Sequence, residues 1–136
     1  MTIRASLCAL VLSLAASIGG CGPGIDRQGT LDRLRAALTA PITGTTVLED
    51  HNQLVENVVQ NGLLERMRQH EVDELLGRGQ ECGSSDICAR HDFAPNDYIY
   101  EVGRDPNDPS LPAGPTLLVG FDRQGVCDRT FYLTRR

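Results

Sequence analysis

Hydrophobic spacing takes three forms along this chain of 136 residues. From Leu7 to Ile18 the chain is almost wholly apolar or small, LCALVLSLAASI, with no polar face. Beyond residue 30 the apolar positions recur about every 3.6 residues, the repeat of a helix with one buried side. Thr30 followed by LDRLRAAL predicts a first helix over about 30–39, capped by Thr30, with Leu31, Leu34 and Leu38 on one face and Pro41 and Gly44 beyond it. Thr46-Val47-Leu48-Glu49 has the form of a capping box and predicts a second helix. Its stripe runs through Leu48, Val55, Val58 and Val59, with His51, Leu54 and Leu63 nearby, and Asn61-Gly62 is its stop. MRQHEVDELLGRG predicts a third helix, with Val72, Leu75 and Leu76 inward and Gly77 at its end.

After a loop-like stretch at 78–96 the period changes to two. Tyr98-Ile99-Tyr100-Glu101-Val102 predicts a short strand. Residues 103–115 contain four prolines and read as a connection. TLLVGFDRQGVCDRTFYL then predicts two strands around the turn Asp122-Arg123-Gln124-Gly125. Leu117, Val119 and Phe121 share a face, and Cys127, Phe131 and Leu133 are placed opposite them. Helices first and strands second predict an α+β domain: two or three helices packed on one face of a three-stranded antiparallel β-meander.

The apolar run at the start carries its own message. Arg4 is the only charge before Asp26, and Gly19, Gly20, Gly22 and Pro23 end the run well short of the roughly 20 residues a membrane-spanning helix needs. This is the pattern of a secretory signal. Its last residues, Ile18-Gly19-Gly20-Cys21, resemble the lipobox of bacterial lipoproteins. The resemblance implies a signal peptide over 1–20, cleavage before Cys21, acylation (palmitate-type chains) of Cys21, and a tether over 21–29 leading into one α+β domain over 30–136. Gly22 stands where an aspartate would signal inner-membrane retention, which favours the outer membrane, facing the periplasm.

Composition narrows the function. There is no lysine; all 13 basic residues are arginine, which excludes Schiff-base chemistry and a P-loop lysine. Without Arg4, twelve arginines face eighteen acids, a net charge of −6. That balance argues against nucleic acid as a partner and against attachment to anionic lipid by charge alone. No dinucleotide fingerprint, nucleophile elbow, HExxH motif or internal repeat is present.

Once Cys8 is removed and Cys21 acylated, Cys82, Cys88 and Cys127 remain, in a compartment where disulfides persist. A Cys82–Cys88 bridge is expected, with Cys127 as the alternative partner of either. A zinc site of the three thiolates with His91 has suitable ligands but a loose spacing, so no metal and no cofactor is expected. A Cys88–His91 nucleophile and base lacks an orienting third group. The acidic pairs Glu49/Asp50 and Asp73/Glu74 read as solvated helix faces, and Asp105-Pro106-Asn107-Asp108-Pro109 as a proline-held loop that lacks the glycine and glutamate of a calcium loop. Tyr98, Tyr100 and Phe121 stand as either core residues or a contact patch for a protein partner.

Met67 to Gly77, then Tyr98-Ile99-Tyr100, then Thr116 to Val126 together resemble the BamE (SmpA/OmlA) family of outer-membrane lipoproteins, over about residues 46–134. Arg66, Arg78 and Tyr98 depart from it, where the family has glycine, proline and tryptophan. The resemblance implies helices on a three-stranded sheet and an accessory role in assembling outer-membrane proteins. The expected function is therefore non-enzymatic: a membrane-anchored lipoprotein binding a partner protein in the cell envelope. The alternatives are an inhibitor of an exported hydrolase and a cysteine-based metal or redox sensor.

Overall fold

A computed structural model of the chain describes residues 24–136. The leader and Cys21 lie outside the described residues. The first helix, α1 (Arg27–Ala37), begins three residues before Thr30. Its cap is Asp26, whose carboxylate accepts the Gly29 N–H at 3.0 Å. Aspartate satisfies a free first-turn amide as well as threonine does. The earlier start turns Thr30 inward with Leu31, Leu34 and Ala37, its hydroxyl accepting from Arg33 at 3.2 Å.

The second helix, α2 (Thr45–Gln60), also starts early, with Gly44 at its N-cap. Thr46 is then already inside the first turn, so the expected capping box with Glu49 does not form. The buried face is His51, Val55 and Val58. Its end is as expected: the Gly62 and Leu63 amides donate back to Val59 and Val58 at 3.1 and 3.0 Å, with Gly62 at φ +58°. This paired closure consumes two free carbonyls and needs a left-handed residue at position 62. Helix α3 (Gln69–Leu76) starts with the Glu71 carboxylate accepting the Arg68 N–H at 3.1 Å, buries Val72 and Leu76, and ends at Gly77, φ +80°.

Four antiparallel strands rather than three form the sheet: β1 (Gln80–Glu81), β2 (Tyr98–Glu101), β3 (Thr116–Phe121) and β4 (Cys127–Leu133), adjacent in chain order. The α+β class and the meander stand. The stretch expected to be a loop at 78–96 instead holds β1 and a one-turn helix, α4 (Asp86–Arg90). Both are too short to show a hydrophobic period.

A β-bulge changes the face assignment on β4. Gly120 pairs with Arg129 but Phe121 pairs with Cys127, which leaves Asp128 as the extra residue. One inserted residue reverses the inward and outward alternation beyond it. Cys127 therefore faces the helices with Leu117 and Val119, whereas Phe131 packs on the opposite face with Leu118. Tyr132 takes the helix-facing place on β4.

The main core lies between α1–α3 and the sheet, and combines Leu31, Leu34, Val55, Val58, Leu64, Val72, Tyr98, Leu117 and Val119, among others. A smaller core on the other face joins Cys82, Cys88, Phe93 and Leu118, with Ile99 and Phe131 against them. Helices thus do not cover one face alone; the 82–93 segment covers part of the second.

Candidate functional site

Chemistry-bearing side chains of this chain mostly hold structure. Cys82 and Cys88 are joined by a disulfide, their Cα atoms 5.9 Å apart. The turn at Gly83–Ser85 and the short α4 bring them back together: Ser85 N–H donates to the Cys82 carbonyl at 2.9 Å, and Cys82 N–H to the Asp97 carbonyl at 2.8 Å. His91 does not approach a thiol with a base's geometry; its ring stacks on Phe131 at 4.2 Å.

Cys127 is the free cysteine among the described residues, and it is 1% exposed. It sits in the main core, across the sheet from the bridge. Burial pushes its thiol up to about 12, against the opposing effect of its hydrogen bond to the Arg129 carbonyl at 3.7 Å. Such a thiol, buried and protonated, is a poor nucleophile at neutral pH. The sulfurs proposed for a zinc site therefore do not converge with His91, and no cluster of three or more potential ligands occurs among the described residues.

Tyr98 and Tyr100 are buried beneath α3, and Phe121 is half-buried against the same core. The two tyrosines are not a surface patch, because β2 directs both toward the helices. Gln69 donates to the Tyr98 hydroxyl at 2.9 Å, and the Tyr100 hydroxyl donates to the Gly77 carbonyl at 2.8 Å. Burial raises both phenols above their ordinary range, Tyr100 further than Tyr98. Edge-to-face packing of Tyr98 on Tyr100 and on Phe121, at 5.9 and 5.2 Å between ring centres, completes an aromatic core row.

The residue that sequence reasoning missed is Asp97. Its carboxylate, 2% exposed, accepts from Ala94 N–H at 2.7 Å, Phe121 N–H at 3.0 Å and the Arg129 guanidinium at 2.9 Å. Arg129 in turn lies over the Phe93 ring at 5.0 Å. Three segments far apart in sequence meet on this one group. The turn chemistry of Ala94-Pro95-Asn96-Asp97 was its only local signal.

A groove of about 570 Å³ lies between α1, α3 and β1–β2. Arg35, Arg78 and Arg104 and the carboxylates of Asp73, Glu74 and Glu101 line it, with Leu75 and Tyr100. Burial raises Glu101, while the Thr116 hydroxyl, donating at 3.1 Å, and the nearby Arg135 and Arg104 counter that rise. No family model, curated protein or solved structure matches the chain.

Proposed function

We propose that this protein is a lipid-anchored, non-catalytic component of the bacterial cell envelope whose folded domain binds another protein, in the manner of outer-membrane assembly accessory factors. The observation that carries the reading is the Cys82–Cys88 bridge downstream of a leader ending in Ile-Gly-Gly-Cys. Bridges of this kind persist outside the reducing cytosol, which fits the compartment that the leader addresses. The commitment of the remaining cysteine, the tyrosines and Asp97 to packing supports a binding role over catalysis. The helix-then-meander order supports the likeness to BamE-type lipoproteins, while the bridge and α1 are features of this chain beyond that likeness.

The test is co-purification from detergent-solubilised native membranes, with mass analysis of the peptide beginning at Cys21. An acylated Cys21 and a stoichiometric envelope partner are expected. Recovery of the acylated protein without any stable partner would overturn the assembly role. A freely secreted product with an unmodified amino-terminal cysteine would overturn the anchor.

A further inference from the structure

We propose that one end of the domain, built from the start of α1, the α2–α3 turn and the β3–β4 turn, is the surface that lies against the lipid bilayer, held there by the shortness of the tether. This rests on acylation of Cys21. The fold takes hold of the chain at Asp26, which caps α1, and at Arg27, whose Nε donates to the Leu63 carbonyl at 3.1 Å. Only five peptide steps separate Cys21 from Asp26, about 18 Å at full extension.

The same end is tied together as a unit. Arg66 N–H donates to the Cys127 carbonyl, Cys127 N–H to the Met67 carbonyl and Gln69 N–H to the Gly125 carbonyl, each at 2.8 Å. Helix α2, of 16 residues, runs from the opposite end to this one, about 24 Å at 1.5 Å per residue. A tether shorter than that helix cannot let the domain turn over and present its other end, the loop 104–114 with half-exposed Leu111, to the lipid.

Side chains at the near end suit headgroup contact. Arg27, Arg66, Arg68 and Arg123 are exposed there, and among the described residues none of them is within ion-pair distance of a carboxylate. The acids beside them include Asp26, Glu65, Glu71, Asp73 and Asp122. Three of these turn their carboxylates to backbone amides: Asp26 to Gly29, Glu71 to Arg68, and Asp122 to Gln124 and Val126. Guanidinium groups are left to meet phosphodiester oxygens, for which their planar fork is matched. The acids at this end are at least as numerous as the arginines, so no net positive field draws it to the bilayer, and the covalent tether and not charge sets the orientation.

The experiment uses the full acylated protein in vesicles of phosphatidylcholine and phosphatidylethanolamine containing a headgroup spin-labelled lipid. A fluorophore is placed through Gln124→Cys at the near end or Ser110→Cys at the far end; buried Cys127 stays unlabelled. Quenching several-fold stronger at 124 than at 110 is expected. Equal or reversed quenching would overturn the proposal. Inserting about forty Gly/Ser residues between Gly24 and Ile25, a coil of about 35 Å, should erase the difference. A difference that survives the insertion would overturn the tether as its cause. Mass analysis of the Cys21 peptide separates the two readings: an unmodified cysteine removes both, whereas an acylated one with symmetric quenching removes only the orientation.

Discussion

Asp97 ties three parts of the described fold together through one buried carboxylate. Its three acceptor contacts join the 94–97 turn, the end of β3 and Arg129 on β4. Asp97→Ala would strand two amide donors and leave the guanidinium with only the longer contact to Asp128, at 3.8 Å. Removing one partner of a buried pair costs about 3–5 kcal/mol, and Arg129, 40% exposed, recovers some hydration, so a loss of about 3 kcal/mol is expected. Urea unfolding measures it; a loss below about 1 kcal/mol would contradict the assignment. Cys127 gives a pH prediction. Its thiol, raised to about 12 by burial, binds its proton more tightly folded than unfolded, where a thiol titrates at about 8.5. The sign follows: this contribution to stability is complete below the unfolded value, and it is lost as pH rises through the folded one. Alkylation of Cys127 near neutral pH should therefore track global unfolding, with native protein inert, and Cys127→Ala should flatten the alkaline loss of stability. Rapid alkylation of the folded protein would refute this. Asp97 did not announce itself in the sequence, and Cys127 did so by its face but not by its free, buried state: the roles of both depend on what lies across the sheet.

Elements show why some of the fold was legible and some was not. Stripes such as Leu31/Leu34, Val55/Val58, Val72/Leu76 and Leu117/Val119 are written locally, because burial on one side imposes a period of 3.6 or 2. All of these residues are in the main core. The turns ending α2 and α3 were legible too, since Gly62 and Gly77 occupy left-handed backbone. The bulge at Asp128 was not, because it is a property of two paired strands and no glycine marks it. The segment 78–96 escaped for a related reason. Its order comes from the cross-link and from Asp97, not from periodicity. The bridge itself was legible, since two thiols six residues apart have a short route to each other. Replacing both Cys82 and Cys88 with serine should cost about 2 kcal/mol, the scale for so short a loop. Amide exchange should rise chiefly over 82–97, with α1–α3 protected. An increase spread evenly over the molecule would mean that the second face is not a separate cover. A sharper test lies at Gly114, where an added Cβ would overlap the Val102 carbonyl oxygen. Backbone cannot step aside as a side chain can, so Gly114→Ala should destabilise by about 2–3 kcal/mol in the same denaturation assay.

At the scale of the whole molecule, the proposed anchor and the net charge make opposite demands on how the protein meets a membrane. With the proposed leader removed the chain carries twelve arginines and eighteen acids, so its surface as a whole is repelled by an anionic leaflet. Attachment by charge would weaken steeply with salt, because the screening length falls from about 10 Å at 0.1 M to about 3 Å at 1 M. Acyl chains respond differently. Each buried methylene contributes about 0.8 kcal/mol regardless of ionic strength, and two or more chains hold far more firmly than one. Washing membranes with 1 M salt should therefore release almost none of the native protein, while mild detergent releases all of it. Residues 22–136 exported behind an ordinary cleavable leader, without Cys21, should be found in the soluble fraction in low and high salt alike, with thermal unfolding unchanged, because α1, the first described element, starts beyond that position with its cap at Asp26. Membrane fractionation followed by immunodetection reads both outcomes. Extraction of the native protein by salt alone, or membrane retention of the variant exported without Cys21, would mean that a protein surface and not a thioether holds the domain to the membrane.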